Sequence, residues 1–164
     1  MTEMERNSDL VIMHGYAPLL VDVSPGARQW RPDLIGYDAL RVYGSPSYHA
    51  IKLFATHLGD EILKASATDT DVRVSVTRDS RSRTMYLKLV NAGTAAAPVQ
   101  LDIAGASLRP AGTAVTLAGD PQDTNSIDAA ERVVPKTSQV TGVKSGFTYT
   151  VPANSIVVLE LGTR

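Results

Sequence analysis

The chain predicts a mainly β fold, a jelly-roll or Greek-key β-sandwich, preceded by one strand and one helix of a different kind. Three observations carry that reading. Between residues 61 and 119 apolar and polar residues alternate. Val72, Val74 and Val76 stand against Arg73, Ser75 and Thr77, and Met85, Leu87, Leu89 and then Val99, Leu101, Ile103 repeat the pattern. A period of two is that of antiparallel strands with one face in a core and the other in water. Asp79-Ser80-Arg81-Ser82 and Asn91-Ala92-Gly93 supply turn chemistry between them, through side chains that bond their own backbone and through glycine. Near the start, Leu10-Val11-Ile12-Met13 and Leu19-Leu20-Val21 are almost continuously apolar, which suits a strand covered on both faces as in a parallel α/β sheet.

Taken in order, the first element is a strand over residues 10–23, preceded only by a short polar segment. A doubly buried strand needs neighbours on each side, and no further strand–helix units follow, so the chain reads as a piece of a larger protein. A loop follows, Ser24-Pro25-Gly26-Ala27-Arg28-Gln29-Trp30-Arg31-Pro32. A helix is predicted over residues 45–58. Ser45 is a natural N-cap, and Pro46 fits the first helical position, where its missing N–H costs nothing. Tyr48, Ile51, Phe54, Ala55 and Leu58 recur at spacings of three and four, so that stripe should be buried, and Gly59 offers a left-handed stop. Beyond the alternating strands, residues 120–136 form a polar excursion longer than most ordered loops. It should wrap over a surface. Two last strands follow, one carrying Phe147 and Tyr149, the other turning Val157, Leu159 and Leu161 inward, with Pro152-Ala153-Asn154 between them. Six or seven short strands with frequent turns give the sandwich. The expected division is 1–60 and 61–164.

Composition sets outer limits. With 164 residues, 43% hydrophobic and 20% charged, the chain is ordinary globular material with room for one well-buried domain. A net charge of -1 creates no field for nucleic acid or an anionic membrane, and neither is expected as a partner. The absence of cysteine removes disulfides and thiol chemistry. No apolar run approaches the roughly 20 residues of a membrane span. The chain reads as soluble and carries no address, leaving cytoplasm and secretion both open.

Particular residues then point to a family. Glu5-Arg6-Asn7-Ser8-Asp9, Gly15-Tyr16-Ala17-Pro18-Leu19, Trp30-Arg31-Pro32-Asp33-Leu34-Ile35, Tyr43-Gly44-Ser45-Pro46-Ser47-Tyr48 and Lys52-Leu53-Phe54 resemble the C-terminal region of α-L-arabinofuranosidases of glycoside hydrolase family 51. The closing Tyr149-Thr150-Val151-Pro152-Ala153-Asn154-Ser155 is similar to the turn that ends the same proteins. The resemblance implies that residues 1–60 are the last strand, loop and last helix of a (β/α)8 catalytic barrel, and residues 61–164 its appended sandwich. It also implies an activity for the longer protein: release of terminal arabinofuranosyl groups from arabinan or arabinoxylan with retention, in L-arabinose metabolism. Retaining glycosidases use two carboxylates about 5 Å apart, one acid/base and one nucleophile. The acid/base glutamate of the family follows an asparagine, and this sequence has no Asn-Glu pair. None of the 17 acidic residues takes either role by motif, so no catalytic residue is assigned and the chain alone is expected to be inactive.

Three residues are candidates for substrate contact in the longer enzyme. Trp30, the only tryptophan, falls in a loop at what would be the C-terminal rim of the barrel, where an aromatic face can stack on a sugar ring or plug the joint with the sandwich. Tyr16 and Asp22 lie on or just after the implied barrel strand; members of the family tend to carry Asn where Asp22 stands. His14, His49 and His57 are too scattered for a metal site, and His57 suits the dipole of a helix end. Asp120, Asp123, Asn125 and Asp128 offer hard oxygen ligands but lack the spacing and glycine of a calcium loop, so they read as a solvated loop. Arg78, Arg81 and Arg83 read as a wet hairpin tip. No phosphate cradle or nucleophile elbow is present, and neither metal nor cofactor is expected.

The leading expectation is a non-catalytic sandwich that braces the barrel. A free-standing carbohydrate-binding module is the alternative, weakened by an aromatic content of only 5%. A subunit that complements a separately encoded barrel is a third. The expected partners are the catalytic barrel, arabinose-containing polysaccharide through it, and a second copy, paired through the bare strand edges between Leu10 and Val23.

Overall fold

The computed structural model describes residues 1–164 apart from Arg28, Gln29, Arg31 and Pro32. The first sixty residues hold helix α1 (Thr2–Arg6), strands β1 (Leu20–Asp22), β2 (Ile35–Tyr37) and β3 (Val42–Gly44), and helix α2 (Pro46–Thr56). Strand β1 pairs parallel with β2, and β2 pairs antiparallel with β3. The expected strand over residues 10–23 is thus only three residues long, because Pro18 and the turn chemistry after Asp22 bracket it. Leu10, Ile12 and Met13 lie outside any strand at 76%, 86% and 87% exposure. Its parallel neighbour comes from Ile35, only thirteen residues beyond its last residue, with no helix among the described residues between.

Helix α2 starts as its sequence dictates: Ser45 Oγ accepts from the Tyr48 amide at 3.3 Å, and Pro46 opens the first turn. Its buried stripe keeps Phe54 of the expected one and is otherwise shifted. Leu53 and Phe54 are buried and Ala50 packs beside them, whereas Ala55 and Leu58 are exposed. The helix ends at Thr56, and Gly59 is not left-handed; it is required because a Cβ there would meet the Arg78 carbonyl at 2.2 Å.

Strands β4 (Glu61–Leu63), β5 (Arg73–Asp79), β6 (Thr84–Asn91), β7 (Ala97–Asp102), β8 (Leu108–Ala118), β9 (Lys136–Thr141), β10 (Gly146–Val151) and β11 (Ser155–Thr163) make a sandwich. One antiparallel sheet has the order β4-β5-β6-β11-β8-β9, and β7 with β10 forms the other. The last strand returns to lie between β6 and β8, a Greek-key closure. Directly opposed residues share a face, so register defines rows across the large sheet. Val76, Leu87, Leu159 and Ala114 form an inner row, all 8% exposed or less, facing β7 and β10.

The outer face is covered too, which corrects the expectation of half-buried strands. Its row is Ser75, Lys88, Val158 and Val115, of which Ser75, Lys88 and Val158 are 0% exposed. Leu53 of α2 packs on Val158, Leu117 and Val133 there. The uninterrupted Ile156-Val157-Val158-Leu159 is the sequence of a strand buried on both sides.

Asp60 fastens the start of the sandwich to the β5–β6 hairpin: its carboxylate accepts from the Ser80 amide at 2.8 Å and from the Ser80 hydroxyl. Those bonds, the hydroxyl's first, hold its carboxyl below the usual range. A depressed folded-state pKa lends stability that is present above the unfolded value of about 3.9 and lost as pH falls through the folded one. Asp60→Asn should therefore lower Tm at pH 7, and the gap to wild type should close as pH falls below about 4 in a melting series.

Candidate functional site

Two regions of the first sixty residues carry chemistry: the ends of β1 and the joint with the sandwich. Asp22 is the last residue of β1. Its carboxylate accepts from the Ser24 amide at 2.8 Å, and hydrogen bonding from the Ser24 side chain and then its amide holds the carboxyl below the usual range. It is exposed and ionised. Trp30 lies on the connection leaving that same end of β1 and is 56% exposed; its neighbours Arg28, Gln29, Arg31 and Pro32 lie outside the described residues. Tyr16 is half-buried and precedes β1 by four residues, so it approaches from the opposite end of the strand. Asp22 thus stands at the C-terminal end of β1, Trp30 lies on the connection from there to β2, and Tyr16 does not lie on the strand.

The strands beneath these ends are held by local packing. A Cβ on Gly36 would fall 2.3 Å from the ring of Tyr43, its register partner on β3, so only glycine admits the ring there. Asp38 binds the turn before β3 through the amides of Leu40 and Arg41 and pairs with the Arg41 guanidinium at 2.9 Å. The other arm of Arg41 reaches Asp128 at 2.9 Å, in the 120–136 excursion.

The joint is the part that residue patterns did not reveal. Lys88, in the middle of β6, is 0% exposed and directs Nζ to the Glu5 carboxylate of α1 and to Thr77 Oγ1 at 3.1 Å. Ser75 Oγ donates to the other Glu5 oxygen at 2.5 Å. The Phe54 ring of α2 lies 5.7 Å from the same ammonium. Burial pushes the Lys88 ammonium below its usual range and the Glu5 carboxylate partly restores it. Nearby, His57 Nδ1 lies 2.7 Å from the Leu53 carbonyl and Nε2 3.2 Å from the Glu160 carboxylate, tying the end of α2 to β11. A signal existed for this face in the apolar Ile156 and Val158, which share Lys88's side of the sheet.

The acidic set of the excursion disperses. Asp120 accepts from the Gln122 amide, Asp123 pairs with Arg132 at 2.6 Å, Asp128 pairs with Arg41, and Asn125 is buried against backbone. Among the described residues no three His, Cys, Asp or Glu side chains gather as a metal site, and no helix is long and apolar enough to cross a membrane. Arg78 pairs with Glu61 at 2.6 Å, while Asp79 accepts from the Arg81 and Ser82 amides at the hairpin tip.

Residues 1–155 match the family model described as the α-L-arabinofuranosidase C-terminal domain. The chain belongs to that family. It is 36% identical over 162 residues to a probable α-L-arabinofuranosidase A of Aspergillus terreus, covering 97% of this chain and 25% of the relative. It is 29% identical over 167 residues to α-L-arabinofuranosidase 1 of Arabidopsis thaliana, covering 96% and 24%. The arabinose-bound GH51 α-L-arabinofuranosidase MgGH51 superposes with a TM-score of 0.92 at 38% identity, over all of this chain and 26% of that one. The chain therefore spans about a quarter of the length of the relatives it matches. The family resemblance read from the motifs and the mainly β sandwich are both established by these matches.

Proposed function

We propose that this domain is the brace of a retaining α-L-arabinofuranosidase: residues 1–60 close the catalytic barrel, residues 61–164 buttress it, and both catalytic carboxylates lie elsewhere in the longer protein. One observation carries this reading. The outer face of the large sheet is buried by α1 and α2, while Leu10, Ile12, Met13 and Leu40 of the same sixty residues are exposed at 76–93%. A surface so apolar marks a buried contact in the working protein. The remainder of a barrel fits it, and in the isolated domain a second copy covers it.

Within the whole enzyme, the reading assigns contact with an arabinofuranosyl group to Asp22, at the C-terminal end of β1 where barrel enzymes bind substrate, and to Trp30 on the connection that follows. Tyr16, the third candidate for substrate contact, precedes β1 by four residues. The polysaccharide is arabinan or arabinoxylan.

The test is direct. The purified domain, given a chromogenic α-L-arabinofuranoside, should show no turnover above buffer, and light scattering after size exclusion should report a self-associated species. Robust hydrolysis would sink the proposal, since it requires an acid pair within these residues.

A further inference from the structure

We propose that Lys88, with Ser75 and Thr77, forms a carboxylate socket in the sandwich that selects Glu5 and so sets where the segment leading to the β1 rim sits. Helix α1 is fastened by residues of β5 and β6, seventy and more positions away: Ser75 and Lys88 each take one oxygen of the Glu5 carboxylate. Thr77 and the Phe54 ring fill the rest of the ammonium's surroundings.

The arrangement discriminates by chemistry. A buried ammonium without a counter-charge is costly, so a neutral or shorter side chain at position 5 leaves Lys88 stranded. Aliphatic packing alone tolerates many side chains; this socket accepts one charge, at one height on α1. From the socket the chain runs to β1, so the socket registers the candidate rim against the sandwich. The inference rests on the bracing reading and names the residues through which the brace acts. Glu5 and Lys88 are positioning residues.

The test is amide hydrogen exchange by NMR on the domain, comparing wild type, Glu5→Gln, Lys88→Met and the double variant. The Glu5 and Asn7 amides, bonded to the Met1 and Glu3 carbonyls, report α1. Each single variant should speed their exchange at least tenfold while β11 amides change less than twofold. The double variant, with no orphaned charge, should recover to within about threefold of wild type, a non-additivity that packing alone does not produce. Unchanged α1 exchange in Glu5→Gln, or additive effects in the double variant, overturns the socket. Protection of α2 reads the bracing contact separately: α2 exposed in wild type would count against the brace, and α2 protected with α1 indifferent to Glu5 against the socket alone.

Discussion

Replacing Phe54 with alanine should destabilise the domain by about 3–5 kcal/mol, the usual cost of emptying a buried aromatic site. Two effects combine. Phe54 is 3% exposed, so its ring leaves a cavity between α2 and the outer face of the large sheet. The ring also faces the Lys88 ammonium at 5.7 Å, and a desolvated cation over an aromatic face contributes up to about 2 kcal/mol. At this size 1 kcal/mol moves Tm by roughly 2–4 °C, so a fall of about 10 °C is expected by calorimetry. Leu58→Ala is the control. It sits on the stripe that spacing alone would bury, yet is 59% exposed, and its loss should stay within about 0.5 kcal/mol. Equal effects at the two positions would mean that α2 is turned on its axis relative to the packing described.

That contrast shows where pattern reading succeeds and where it stops. The inner rows were legible because Val76, Leu87 and Leu159 alternate with polar residues, and period two admits one interpretation. A helix with two apolar faces is another matter: Tyr48, Ile51, Phe54, Ala55 and Leu58 recur as regularly as Ala50, Leu53 and Phe54, and only Phe54 belongs to both. Periodicity finds a stripe without saying which neighbour it meets. Lys88 escapes pattern reading for a related reason, since a lysine between two core leucines ordinarily faces water, and its counter-charge lies 83 residues away. Strand β9 hid behind a polar composition, Lys136-Thr137-Ser138-Gln139, which is how an edge strand avoids sticking. Strand β8 hid behind Pro110, which a central strand normally forbids. It sits between Leu108 and Gly112, where the register against β11 shifts and no ladder bond is demanded. The candidate rim was legible as a loop, but the three-residue length of β1, which leaves Tyr16 before the strand rather than on it, was not.

Asn125→Ala should be the most damaging change outside the apolar core, because one amide serves three backbone groups. Its Nδ2 donates to the Gly44 carbonyl at 2.8 Å and to the Val133 carbonyl at 3.0 Å, and its Oδ1 accepts from the Val133 amide at 2.8 Å. The residue is 4% exposed, so water does not readily replace it. Each buried group left unsatisfied costs about 1–3 kcal/mol, and sharing among three neighbours leaves a loss of about 3 kcal/mol. Asn125→Asp should do no better, since it keeps the acceptor but turns a carboxylate toward two carbonyls. Asp123→Ala, which removes only a partly exposed ion pair with Arg132, should cost at most about 1 kcal/mol. Limited proteolysis localises the effect: cleavage within residues 120–135 should accelerate in Asn125→Ala and not in Asp123→Ala. Gly44 ends β3 and abuts the Ser45 cap of α2, so this amide fastens the excursion to the strand-to-helix junction of the first sixty residues. The sandwich then grips that unit at separate points, through Lys88 on α1, Phe54 on α2 and Asn125 between β3 and α2. Loss of Asn125 should therefore leave exchange in α1 unchanged while it speeds exchange at the start of α2.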